Sequence, residues 1–260
     1  MSIFNSDPAN DHRSSGEPSG ARAGAVSVSQ RESIPPMRLK TKHARAPKQE
    51  RSRRSFERML HAATSILEKG GLAALTLTEV SRRSGVSIGS IYGRLDGKED
   101  LIRAVQAQAL TKIRQEFATM ISEIRRQELC LSELVPTVVH ALALFLRRHT
   151  RLLSAFMQVA MTDPLVAKAG RKAQSKDLSD LQLLLLERRD EIRHPDPEHA
   201  VATCFTVVYG SLARYLGLAP SSDSVGEGNW DQLLDDLGLM ALAFLLMDLP
   251  RSAPAARLRR

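Results

Sequence analysis

Between Thr76 and Lys98 the chain reads TLTEVSRRSGVSIGSIYGRLDGK, and these side chains suit contact with a polyanion better than bond making. Ser87 and Ser90 carry hydroxyls that serve base edges or phosphates, and Gly89 lets the backbone come close. Ile88, exposed if Val86 and Ile91 are buried, has the character to meet a thymine methyl. Tyr92 and Lys98 would flank such a groove and hold phosphates. The local code that positions them is also present. Thr76 with Glu79 three residues on has the form of a capping box and opens one helix. Gly85 suits the left-handed residue that closes it, and Ser87 caps a second short helix reaching about Arg94. A short helix, a glycine-bearing turn and a second helix make a helix–turn–helix over about residues 76–95. In such a unit the second helix enters the major groove, N-terminus first.

The stretch Arg53 to Val105 resembles the DNA-binding domain of TetR-family transcriptional regulators. The residues that carry the likeness are Ala62-Ala63 and Gly70-Gly71 of the first helix, Thr76, Glu79 and Gly85-Val86-Ser87. Gly89-Ser90-Ile91-Tyr92 and Lys98-Glu99-Asp100-Leu101 complete it. Two positions depart from the family pattern. Leu95 stands where an aromatic residue is usual, which weakens one packing contact, and Ser81 stands where alanine is common. The resemblance implies that Thr78, Ser87, Ile88, Ser90, Tyr92 and Lys98 face DNA. Plainer readings stay open: Thr78 as a surface residue, Ser87 as a cap alone, Tyr92 as a core aromatic, Lys98 as a solvated lysine. A lysine opening a helix is unfavourably placed in the helix dipole, and a nearby phosphate would give it a reason to be there.

The elements around this unit are helical throughout. Phe56, Met59, Leu60, Ala63, Ile66 and Leu67 recur at three- and four-residue steps, so a first helix runs from Ser55 to Gly70-Gly71. Lys98 begins a long helix to about Ile124, Ser132–Arg148 gives another, and Thr150–Met161 a shorter one. Asp163-Pro164 and Asp196-Pro197 each place a cap before a proline, opening helices that reach about Ile192 and Gly217. Asn229 to Leu249 forms the last helix. The predicted fold is all-α: an N-terminal three-helix DNA-binding domain with the helix–turn–helix over residues 51–97, then a larger helical effector-binding and dimerisation domain over 98–249. Residues 1–50 and 250–260 are expected to be disordered basic extensions.

Charge is unevenly spread. The 260 residues carry a net charge of +8, of which residues 1–54 hold +6, the last ten +4, and residues 55–250 only −2. Arg38 to Arg54 holds eight cations against the single acid Glu50. Such a block is drawn to polyanions, and Arg51, Arg53 and Arg54 are expected on a flexible arm that follows the DNA backbone or enters the minor groove. A solvated tail that only aids solubility is the other reading of the same block.

The last two helices offer a partner surface. The final one, with Leu233, Leu234, Leu237, Leu239, Met240, Leu242, Phe244 and Leu245, is apolar nearly all round and must be covered on both sides. The helix before it has one stripe through Val201, Cys204, Phe205, Val208, Leu212 and Tyr215 and an opposite one through Ala202, Thr206, Tyr209 and Ala213. A homodimer through these helices is expected, as the resemblance also implies; a thicker monomeric core is the alternative. His140, Phe145, Phe156, Met157, Met161, Thr206 and Tyr209 are candidates for lining a small-molecule effector site, with an apolar or amphipathic effector.

Several classes are excluded or disfavoured. No apolar run reaches the roughly 18 residues that span a bilayer, since Leu237–Met247 stops at Asp248. Residues 1–36 contain no apolar segment of the secretory type, and Met37 is a conceivable later start. Two cysteines are too few for a disulfide framework, so a cytoplasmic location is expected. Glu191-x-x-His194 is one metal-type pair where a di-metal bundle needs two, so neither metal nor cofactor is expected. No phosphate loop or nucleophile–base spacing points to an enzyme. The expected function is a dimeric regulator, most simply a repressor released from its double-stranded DNA operator by a small molecule. The alternative is a helical adaptor whose helix–turn–helix no longer reads DNA.

Overall fold

The structure, a computed structural model, describes residues 46–218 and 226–248. Within them the chain is helical throughout: α1 (Ala46–Ala74), α2 (Leu77–Ser84), α3 (Ile88–Tyr92), α4 (Lys98–Arg125), α5 (Leu131–Ala160), α6 (Pro164–Leu186), α7 (Pro197–Tyr215) and α8 (Trp230–Leu246). The fold class expected from periodicity is the one observed.

The caps read from the sequence close the ends they were assigned to. Asp163 accepts from the amides of Leu165 and Val166 at the start of α6, and Asp196 accepts from His199 at the start of α7. In both helices proline takes the first position, where no amide hydrogen is needed. Gly71 adopts a φ of 67° and kinks α1 at the double glycine, so the chain can turn toward α2. Asn229 caps α8 through the amides of Asp231 and Gln232.

Three boundaries differ from expectation. α1 begins at Ala46 rather than Ser55, so Arg51, Arg53 and Arg54 stand on a helix instead of a flexible arm. Residues 1–45 and 249–260, the remainder of the expected extensions, lie outside the described residues. α5 is continuous where a break was expected near His149 and Thr150. Thr150 returns its hydroxyl to the Leu146 carbonyl, and His149 reaches Glu116 of α4, so neither polar side chain competes with the helix. α6 stops at Leu186, short of Ile192, and a 3₁₀ turn follows over Arg189–Glu191. The Glu191 carboxylate in that turn accepts from the Leu131 amide at 2.7 Å and so caps α5 from a distance.

Two apolar clusters hold the molecule. One joins α1, α2 and α3 through Met59, Ile66, Leu67, Val80 and Ile91 to the first half of α4 and the last turns of α5. The other packs α5, α6, α7 and α8 around the second half of α4. The N-terminal unit is thus seated on α4 and α5, and its core crosses the expected boundary at residue 97. Where α8 meets α5, Gly238 lies so close to Pro136 that a Cβ would sit 3.3 Å away.

Candidate nucleic-acid interface and internal cavity

The turn between α2 and α3 is knitted by its own polar groups. Thr76 accepts from the Glu79 amide, as a capping box requires. The Glu79 carboxylate does the other half of a different job: hydrogen bonds from Arg82 and Arg83 hold it down to about 2. Gly85 sits at φ 66°, the left-handed conformation expected of it. Ser84 accepts from the Val86 amide, and Ser81 donates to the Val86 carbonyl at 2.7 Å. The departure from alanine at Ser81 therefore pins the turn. Arg58 of α1 adds a bond to the Ser84 carbonyl. Leu95, the other departure, is buried in the apolar cluster and fills its place.

This turn presents α3 to solvent. Of its five residues only Ile91 is buried; Ile88 is 41% and Tyr92 58% exposed, high for apolar and aromatic side chains. Ser87 caps the helix through the Ser90 amide, and the two hydroxyls lie 2.8 Å apart. One of that pair donates to the other, which leaves one hydroxyl hydrogen and several lone pairs for a ligand. Thr78 is exposed in the first turn of α2. Arg94, not singled out from the sequence, donates to Ser52 and ties the far end of α3 to the start of α1. Lys98 is half-buried with its ammonium 3.5 Å from the Leu72 carbonyl. It helps satisfy the C-terminal end of α1, a reason for a lysine at this helix start that needs no phosphate. Two donors remain to it.

A cavity of about 340 Å³ lies between α4, α5 and α6, with Tyr209 of α7 and Leu218 beyond it. Phe145, Phe156, Met157, Met161 and Tyr209 line it, as expected of them. His140 and Thr206 do not. His140 bonds the Pro136 carbonyl and faces Asp235 of α8, and Thr206 is exposed with its hydroxyl on the Ala202 carbonyl. Helical spacing gave both the right helix and the wrong face. Burial pushes the Tyr209 hydroxyl above the usual phenol value. Gln106 was missed, though a lone amide among Ile102, Val105 and Ala109 marks a polar position on an apolar stripe.

The remaining candidates fall elsewhere. Glu191 and His194 share no ligand geometry, since Glu191 caps α5 and His194 is buried with Nδ1 on the Asp196 backbone. No group of three or more metal-type side chains occurs among the described residues. Cys204 is buried and its thiol is pushed up to about 11, while Cys130 is exposed, and neither is in a disulfide. On α7 the exposed face runs through Thr206, Val207 and Gly210; Ala213 of the expected outer stripe is buried. α8 leaves Leu239, Met240, Leu246 and Met247 exposed. No described helix is long and apolar enough to cross a membrane.

The sequence of residues 59–105 matches the family model described as bacterial regulatory proteins, tetR family. These residues, α1 from Met59 to the start of α4, are similar to the DNA-binding domain of that family. Solved structures extend the likeness to the whole helical body. A protein described as a TetR-family transcriptional regulator from Mesorhizobium loti superposes with a TM-score of 0.59 at 16% identity, covering 75% of this chain and 96% of that one. A transcriptional regulator from Rhodococcus sp. RHA1 gives 0.52 at 20% identity, with 75% and 98% covered. One from Cytophaga hutchinsonii gives 0.55 at 19% identity, with 73% and 96% covered. At such identities these structures establish a shared fold. No curated protein sequence matches this chain significantly. Domain and fold together are those of a DNA-binding transcriptional regulator.

Proposed function

We propose that the protein is a dimeric, sequence-specific transcriptional repressor that leaves its operator when a small molecule fills the cavity between α4, α5 and α6. The observation that carries this reading is α3 itself: a short helix anchored by Ile91 alone, with every other side chain turned to solvent. An apolar residue and an aromatic exposed side by side on a rigid unit fit base edges and backbone better than water. Ser87, Ile88 and Ser90 then read the groove, while Thr78, Tyr92 and Lys98 hold phosphates. A single reading head binds weakly, and two-fold pairing is the standard remedy. The exposed apolar rows of α7 and α8 support pairing through those helices, as their burial against a second copy would remove them from water. The chain then divides into a reading head to residue 97 and an effector and pairing body over 98–249 that share one core. A protein working on the chromosome in this way belongs in the cytoplasm.

The experiment is a mobility-shift assay with DNA flanking the protein's own gene, comparing the wild type with Tyr92→Ala and Lys98→Ala. Loss of most of the shift in Tyr92→Ala, with the fold retained by circular dichroism, is expected. Shifts insensitive to both changes would overturn the assignment and favour an adaptor that has lost DNA recognition.

A further inference from the structure

The cavity has a shape and a polar end that say more about its occupant than its apolar character does. Its wall on α6 runs from Val166 to Leu181, which at 1.5 Å per residue is about 22 Å. Its volume of about 340 Å³ is within the usual range for small-molecule sites. Ala167, Gly170 and Ala173 put little side-chain bulk on this wall, and Phe117, Leu142, Leu146 and Leu181 add apolar surface to the lining. A wall of that length, apolar for most of its run, can lie along one extended chain of about ten carbons.

The polar groups gather near Gly170. Gln106 is 3% exposed, and its Nε2 donates to the Val166 carbonyl at 3.0 Å. No hydrogen bond to its Oε1 is found among the described residues, and the side chain lines the cavity, so this oxygen can accept from a ligand there. A ligand O–H or N–H donated to it would form a hydrogen bond shielded from bulk water. The same Nε2 is 3.8 Å from where a Cβ on Gly170 would stand, so Gln106 and the next residue, Arg171, are at one level of the slot. Arg171 lines the cavity, is exposed and makes no ion pair among the described residues. Asp177, further along, is already held by Arg114, and burial raises its carboxyl above the usual value despite that guanidinium.

Building on the effector reading above, we propose that the cavity takes a single-chain hydroxy-carboxylate. Its hydroxyl donates to Gln106 Oε1, its carboxylate meets Arg171 at the rim, and its alkyl chain runs along α6 toward Leu181. Tyr209 serves as wall.

The test is calorimetric titration of the full chain with 3-hydroxydecanoate, decanoate and 1-decanol below their aggregation limits, with a mobility shift read in parallel. The hydroxy acid is expected to bind roughly tenfold more tightly than decanoate, the worth of one hydrogen bond to a buried acceptor. Gln106→Met should erase that preference, Arg171→Ala should weaken both acids and spare decanol, and Tyr209→Phe should change nothing. Gly170→Leu, which fills the slot, should abolish all three while DNA still shifts. Equal binding of the two acids to the wild type, which needs no variant to fold, overturns the proposal. So does loss of binding in Tyr209→Phe, or no binding of any chain. If the hydroxy acid binds with the expected selectivity and DNA remains bound, the ligand class stands and release from the operator falls.

Discussion

The Arg103 guanidinium on α4 donates to Asp163 at 2.8 Å, and the other oxygen of that carboxylate caps α6 through Leu165 and Val166. One side chain therefore ends a helix and ties it to the helix on which the reading head sits. Burial raises the Asp163 carboxyl, but the Arg103 bond and the two amides outweigh it and leave the value below the usual 3.8. A carboxyl lowered in the folded state contributes stability that is present above 3.8 and is lost as pH falls through the folded value. Asp163→Asn, which keeps a good cap but loses the charge, should lower the melting temperature at pH 7. Asp163→Ala should lower it further. The gap between wild type and Asp163→Asn should close as pH falls from 3.8 through the lower folded value; a constant gap would show that Arg103 contributes nothing through charge.

How far the sequence carried depends on whether the deciding force is local. Thr76, Gly85, Ser87, Asp163 and Asp196 act within a few residues of themselves, and each ends the helix it was expected to end. The break expected at His149 did not form because its partner, Glu116, lies on another helix. The end of α6 was missed for the same reason: Glu191 is recruited by the Leu131 amide, sixty residues away. Periodicity finds the helix a residue belongs to, but on a helix enclosed by neighbours it does not choose among faces. His140 and Thr206 therefore missed the cavity while Phe145 and Tyr209 reached it. The cavity itself follows from Ala167, Gly170 and Ala173, residues whose small size has meaning only once α6 is laid against α4 and α5.

Ile88 and Ile91 are three residues apart on one short helix and should respond oppositely to the same change. Ile91 is fully buried, so Ile91→Ala leaves a hole in the head and should cost about 2–5 kcal/mol in urea unfolding. Ile88 is 41% exposed, so Ile88→Ala should leave stability within about 0.5 kcal/mol. Its loss should instead appear in operator affinity, by roughly tenfold, the scale of one base contact. An Ile88→Ala protein that binds its operator as the wild type does would remove that residue from the interface.

His149 provides a pH dependence near neutrality. It is largely buried beside Phe145 and Glu116, and burial lowers it below the usual 6.5 despite the Glu116 carboxylate. Arg148 and Lys112 push the same way. Protonation therefore favours the unfolded chain: the stability tied to neutral His149 is full above 6.5 and declines as pH falls through the lower folded value. Melting temperatures between pH 8 and 5 should fall more steeply for the wild type than for His149→Gln, which can still donate to Glu116. Parallel curves would place the pH dependence elsewhere.

The start of α1 carries the last prediction. Arg51, Arg53 and Arg54 stand exposed on a helix, held beside α3 by the Arg94–Ser52 bond, so their charges have fixed positions relative to the reading head. They are not equally free. Arg54 is bonded to Glu50 at 2.6 Å and Arg53 lies 3.7 Å from Glu57, whereas no ion pair involves Arg51 among the described residues. Each phosphate contact steepens the fall of log affinity with log salt by about 0.9. Arg51→Ala should therefore flatten that slope by about 0.9 and weaken all DNA sequences alike, since a phosphate contact carries no sequence information. Glu50→Ala should act in the opposite direction, because it frees Arg54 and removes a negative charge from the approach to DNA. A slope unchanged by Arg51→Ala, measured between 50 and 200 mM salt (roughly the range over which such contacts are resolved), would mean that α1 begins beyond the reach of the backbone.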